Sequence, residues 1–357
     1  MALASIATVL ASVLRTVVLP RAVPARLARL VFLSVRSVLQ IRLRLIGRSD
    51  YRTRDHVFAL QAPLGVFAQL FTWGGLNLLC FAALFWSLDT THLSGGSLAR
   101  AIELSGSSMF TLGFDPPRGL LRHIVAFTDA GVGLTLFALV ITYLPSLYSA
   151  FSRREALITK LVVRTGSPPS GPQLLIRTWE LDRFDRLEEV WGPWEDWFID
   201  LGESHTTFPQ LGFFRSPHPR NHWVLAAEAV LDAAALRMTA CDVPHQSRSE
   251  LCLEAGIDAF GSIARFLGIP DEPPEEEAEI LLSQDQFTDG CQTMAERGIP
   301  IRPDTDAAWR DFRRTRARYE PLIAVLGAMT DAPRSEWSSW TDNAPRHSPP
   351  LLRIHHR

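Results

Sequence analysis

Between two long apolar stretches the chain reads Ser107-Ser108-Met109-Phe110-Thr111-Leu112-Gly113-Phe114-Asp115. The chemistry open to Thr111, Leu112, Gly113, Phe114 and Asp115 is the handling of a bare cation. Backbone carbonyls can replace an ion's hydration shell when successive peptide planes point inward. Gly113 permits the left-handed backbone values this demands, where a Cβ would be strained. Asp115 carboxylates arranged in a ring would raise the local cation concentration. The competing reading makes these five residues an ordinary turn in an external loop.

The flanking elements must position that segment. Leu64 to Leu88 carries no charged residue and is long enough to cross a hydrocarbon core of about 30 Å at about 1.5 Å per residue. Ile124 to Tyr148 is almost entirely apolar, with Asp129 its only charge. Gly95 to Phe114 is too short to cross and return as helix, yet Leu98 to Phe110 is helix-compatible. The pattern predicts a re-entrant half-helix followed by extended backbone, within a pore loop of about 96–117. Arginine placement sets the orientation. Arg15, Arg21, Arg26, Arg29, Arg36, Arg42, Arg44, Arg48, Arg52 and Arg54 precede the first span, and Arg153, Arg154, Lys160 and Arg164 follow the second. Both termini are therefore expected in the cytoplasm, with the chain in the cell inner (plasma) membrane and the Thr111 segment facing out.

In this order of elements the chain resembles the two-transmembrane, pore-loop potassium-channel family over roughly Leu64 to Arg154. That family's filter has the form T-x-G-Y/F-G-D, and Thr111-Leu112-Gly113-Phe114 match its first four positions. The resemblance implies that Thr111 supplies a hydroxyl and a carbonyl at the inner end. Leu112 and Gly113 would supply carbonyls in the middle, and Phe114 a ring packed behind as a spacer. Asp115 stands where the family has its second glycine, and Pro116-Pro117 follow. The implied permeant ion is potassium or another monovalent cation, with no other cofactor. One chain supplies one pore loop, so a homotetramer in the lipid bilayer is implied. In the second span, Gly131 and Gly133 permit close packing or a bend, with packing favoured at Gly131, and Pro145 removes a helix hydrogen bond. Asp129 is costly in lipid and must face protein or water. Its position suggests support behind the filter, with a contact to Arg122 or His123 as the alternative.

The expected fold class is an all-α membrane protein: two transmembrane helices flanking the half-helix and filter, plus an α-helical cytosolic domain. With 357 residues, 47% of them hydrophobic, the chain suits a two-span anchor and a sizeable soluble part. The net charge of −2 hides a basic N-terminal flank and an acidic run from Asp271 to Glu279. Residues 1–55 read as arginine-rich interfacial helices broken near Pro20 and Pro24, 56–151 as the pore domain and 152–172 as a basic helix with a Pro/Gly linker. A helical cytosolic domain is expected over 173–330 and a flexible tail over 331–357. Helices are predicted over Leu174 to Val190, Trp223 to Met238, Glu250 to Leu267 and Asp304 to Met329.

Motifs for catalysis are lacking. Cys80, Cys241, Cys252 and Cys291 have no paired spacing, which points to reduced structural thiols. Glu203, His205, His218 and His222 lack metal-ligand spacing, and Gly202-Glu203-Ser204-His205 lacks the nucleophile-elbow form. Trp179, Trp191, Trp194 and Trp197 read as packing. Arg310, Arg313, Arg314, Arg316 and Arg318 read as a basic helical face, solvated or paired with the acidic run. No motif supports nucleic-acid binding, and no enzyme activity is expected. The alternative function is a non-conducting membrane-anchored scaffold or enzyme acting through 173–330.

Overall fold

A computed structural model describes residues 2–13, 26–47, 50–88, 98–114, 116–269, 280–333, 335 and 337. Within these the chain is all-helical, and it divides into two compact units, Met1–Arg48 with Leu60–Ser149 and Ser49–Ala59 with Ala150–Arg357. The expected break at Pro20 and Pro24, the acidic run and Asp115 lie outside the described residues.

The first unit holds α1 (Ala2–Val13), α2 (Arg26–Ile46), α4 (Gln61–Ser87), α5 (Leu98–Met109) and the first part of α6 (Leu120–Thr165). The helical stretch containing α4 and the helix α6 are both long and apolar enough to cross a membrane. Their surface pattern is inverted relative to a water-soluble bundle. Phe71, Phe127 and Ile141 are 78%, 73% and 70% exposed, whereas Asn77, Ser105 and Asp129 are buried and bonded to one another. Hydrocarbon as solvent selects this arrangement, since polar groups must find protein partners there. The apolar N-terminal segment packs against α4: Val9 and Val13 join Trp73, Met109 and Leu136 in one cluster, and Trp73 Nε1 donates to Ser12 Oγ at 3.3 Å. On α2, Phe32 lies over Gly65, where an added Cβ would meet its ring carbons at 2.7 Å.

The second unit holds α3 (Tyr51–Ala59), the end of α6, α7 (Gly171–Glu180), α8 (Glu188–Thr207), α9 (Trp223–Thr239), α10 (Ser247–Leu267), α11 (Gln284–Glu296), α12 (Thr305–Ala317) and α13 (Glu320–Thr330). Its centre is α9, buried along nearly its whole length. Alanines at 226, 227, 229, 233, 234 and 235 let neighbouring helices approach it closely. Trp191, Trp194, Trp197 and Phe198 fill the same core from α8.

Two predicted helices are broken. The stretch from Leu174 to Val190 is interrupted after Glu180, where Asp182 takes a left-handed φ of 54°, and a short 3-10 turn, Phe184–Arg186, leads into α8. The stretch from Asp304 to Met329 divides into α12 and α13 because Pro321 cannot donate within a helix and sits in the first turn of α13. The basic helix after the second span is the end of α6, which stops at Gly166 with φ 78°. All four cysteines are free thiols.

Arg154, near the end of α6, is buried and donates to the carbonyls of Leu211 and Phe214, both at 2.7 Å, and to Glu155. His205 Nε2 lies 3.3 Å from Arg154 Nη1 and accepts from it, so His205 Nδ1–H faces the Leu201 carbonyl at 3.1 Å. Burial, and then the nearby Arg154 charge, hold His205 well below the ordinary histidine value of 6.5. Burial first, with Arg215 and Arg154, does the same to His222. Both histidines stay neutral when folded while the unfolded chain takes up protons, so this contribution to stability is lost as pH falls. The unfolding midpoint of the second unit is expected to drop as pH falls below about 6.5, and His205→Gln is expected to flatten that dependence. A midpoint that rose with acidification, followed by tryptophan fluorescence, would contradict it.

Candidate functional site

The candidate site is built on α5 and the two long helices beside it. Ala101, Leu104 and Ser105 of α5 face inward at helical spacing, and Ala101 and Leu104 pack with Phe85 of α4 and Ala126 of α6. Contacts then descend in register: Ser105 meets Asp129, and Met109 meets Gly133. Both partners advance by four residues, so α5 and α6 run in the same direction. Against α4 the order reverses, with Phe85 beside Ala101, Leu78 beside Ser105 and Gly74 beside Met109.

The end of α5 carries the Thr111 segment. Thr111 N donates to the Ser108 carbonyl at 3.0 Å and Leu112 N to the Ser107 carbonyl at 2.8 Å. Thr111 takes the left-handed position that closes the helix, at φ 54°. A β-branched residue there costs about 1–2 kcal/mol relative to its ordinary backbone. Phe114 N donates to Ser107 Oγ at 2.9 Å, and Gly113 sits at φ 72° with open space where a side chain would go. Left-handed values at Thr111 and Gly113 alternate with Leu112 between them. The sequence predicts extended backbone directly after the half-helix; the chain instead turns back on Ser107, which holds it through both its carbonyl and its hydroxyl. Phe114 is 80% exposed in the single chain, and Phe110 packs on Phe137 of α6 with ring centroids 5.8 Å apart.

The three helices meet in a buried polar cluster. Asp129 and Asn77 are fully buried and Ser105 equally so. Ser105 Oγ stands 2.8 Å from Asp129 Oδ2 and 3.0 Å from the Leu78 carbonyl oxygen. Asn77 Nδ2 donates to Asp129 Oδ1 at 3.4 Å. The alternative contact of Asp129 with Arg122 or His123 is not formed, because Arg122 Nη2 donates to the Leu88 carbonyl and His123 Nδ1 faces that of Gly119. Asn77 and Ser105 escape a reading based on charge. Their signal is polar residues inside otherwise apolar helices.

The remaining second-span candidates separate by geometry. Any side chain at Gly133 would fall on the Met109 carbonyl, whereas Gly131 faces open space within the chain. Pro145 is exposed, and α6 runs through it from Leu120 to Thr165 without interruption. Away from α5, the described residues contain no group of three or more His, Cys, Asp or Glu side chains able to hold a metal ion.

No protein-family model matches the chain, and no solved structure matches it. The chain is similar to the uncharacterized membrane protein YdjJ of Bacillus subtilis (strain 168), at 26% identity over 186 residues, 48% of this chain and 53% of that protein. It thus spans about half the length of that relative. With two span-length helices bearing an apolar exterior, the chain belongs among membrane proteins.

What the α4–α5–α6 arrangement can do chemically follows from its parts. A short helix of 12 residues, about 18 Å at about 1.5 Å per residue, ends in the turn formed by Thr111, Leu112 and Gly113. The partial negative charge of a helix C-terminus favours a cation at that end.

Proposed function

We propose that the protein is a homotetrameric cation channel that conducts potassium or another monovalent ion. In this reading the termini lie in the cytoplasm, the inner (plasma) membrane holds the first unit, and the helical second unit assembles or regulates the tetramer. It assigns no catalytic chemistry and no nucleic-acid partner. The observation that supports it is the short helix α5 between two span-length helices, followed by left-handed backbone at Thr111 and Gly113. Four such ends around an axis would bring Thr111, Leu112 and Gly113 carbonyls to one ion, with Asp115 at the outer mouth.

The test is cation flux into liposomes carrying the full chain, comparing potassium, sodium and a large organic cation. Gly113→Val forces a β-branched residue into the left-handed region. Flux is expected in the natural protein and is expected to fall at least about tenfold in Gly113→Val, since about 1.4 kcal/mol of distortion at the ion site already equals one decade. Equal flux in the two proteins would remove the filter assignment. A second reading, a non-conducting anchor for the second unit, is favoured by the fold-back of Phe114 onto Ser107. Absence of flux across pH, calcium and voltage would select it.

A further inference from the structure

In the Asn77–Ser105–Asp129 cluster the Ser105 hydroxyl faces one more acceptor than its single hydrogen can serve in a linear bond. A serine hydroxyl has one hydrogen to donate. Ser105 Oγ nevertheless stands at hydrogen-bond distance from two acceptors, Asp129 Oδ2 at 2.8 Å and the Leu78 carbonyl at 3.0 Å. With an ionised Asp129, the one hydroxyl hydrogen must be shared between the two oxygens, which weakens both contacts, or one contact has no hydrogen in it. It would also leave a carboxylate fully buried among three helices, and the groups meeting it are Ser105 from α5 and Asn77 from α4, both neutral. The charged groups on its own and adjacent helices point elsewhere: Glu103 and Arg100 of α5 are exposed, Arg122 donates to the Leu88 carbonyl, and His123 faces that of Gly119.

We infer that Asp129 is a proton-binding site, occupied at neutral pH, and that the neutral acid ties α6 to α5 and α4 by a directed relay. The Asp129 Oδ2 hydroxyl donates to Ser105 Oγ, and Ser105 Oγ–H donates onward to the Leu78 carbonyl. The remaining Asp129 oxygen, Oδ1, is then a carbonyl that accepts from Asn77 Nδ2. Each of these three contacts now has one hydrogen and one acceptor, and the Asn77 side-chain oxygen stays buried without a partner in either protonation state. The proton comes from bulk water, and no other bond changes. This assignment stands on the hydrogen count and does not depend on whether the protein conducts.

It makes a definite statement about substitution. In Asp129→Asn the side-chain NH2 replaces the Oδ2 hydroxyl as donor to Ser105, and its oxygen still accepts from Asn77. That variant is expected to melt within about 2 °C of the natural chain in lipid nanodiscs. The direct readout is infrared difference spectroscopy at pH 7 between natural and Asp129→Asn full-length proteins. Acids common to both, such as those of the second unit, cancel. The expected difference is the carbonyl band of a protonated carboxyl, present in the natural protein only, and Ser105→Ala should shift that band by removing its acceptor. A carboxylate band in its place, a band unmoved by Ser105→Ala, or a large loss of stability in Asp129→Asn would each overturn the inference.

Discussion

Replacing Arg316 with methionine is expected to unfold the second unit at physiological temperature. Arg316 is fully buried on α12, where Nε donates to Glu320 at 2.8 Å, Nη1 to Asp232 at 2.9 Å, and Nη2 to Glu228 at 3.1 Å and to the Trp337 carbonyl at 2.9 Å. All three carboxylates are themselves buried. One guanidinium thus gathers α9, α12, α13 and the chain after α13. Burial pushes the Asp232 carboxyl up to about 6, even with Arg316 and the Tyr319 hydroxyl pulling it down. Removing one partner of a buried ion pair costs about 3–5 kcal/mol, a large part of a typical domain stability of about 5–15 kcal/mol. Lysine at this position keeps the charge but loses the planar fork, so an intermediate loss is expected. The pH response should also shift in the sense burial already sets at Asp232: with no cation to pull that carboxyl down it binds its proton more readily still, so Arg316→Met recovers part of its deficit relative to the natural chain as pH falls. Urea unfolding of the full chain, followed by Trp191 and Trp223 in the affected core, measures both effects. A midpoint equal to that of the natural protein would show that the cluster contributes little.

How much of this was legible in the sequence depends on which interaction fixed each element. The two span-length helices and α5 follow from local composition, since an uninterrupted apolar run has few other solutions. The alanine-rich α9 and the end of α10 at Leu267 are likewise readable from periodicity, whereas α10 starts at Ser247, three residues before the predicted Glu250. Arg316 was not. Among Arg310, Arg313, Arg314 and Arg318 it reads as one more member of a basic face, solvated or paired with the acidic run. What decides its burial is on another helix: Glu228 and Asp232, one turn apart within the alanine-rich stretch W-V-L-A-A-E-A-V-L-D. Two acids on a helix otherwise suited to burial on all sides announce a buried cation, although they do not say which arginine supplies it. The same limit applies in the first unit. Asp129 stood out by its charge, but Asn77 and Ser105 acquire meaning only when three helices bring them together. The fold-back at Ser107 depends on a side chain capping backbone seven residues later, which no periodicity reports.

Replacing Gly133 with valine is expected to abolish conduction while leaving the second unit intact. A Cβ at Gly133 meets the Met109 carbonyl carbon and Cγ at 3.0 Å and falls still closer to the carbonyl oxygen. Backbone cannot rotate away as the tip of a flexible side chain can, so α5 or α6 must shift. Overpacking of this kind costs about 1–3 kcal/mol, and the displacement falls at the last residue of α5, two residues before Thr111. Packed helices transmit such a shift because interiors have few voids to absorb it. The Ser105–Asp129 contact one turn earlier resists the same movement, so Gly133→Val should also lower the melting temperature of the first unit. Gly131→Val is the matched control, two residues away on a face open within the chain, and flux there is expected to persist. If Gly133→Val conducted normally, the contact with Met109 would not position the Thr111 segment. If both glycine variants abolished flux without a change in melting, bending of α6 would become the better account of these residues. The comparison thus separates close packing from hinging, which composition alone leaves joined.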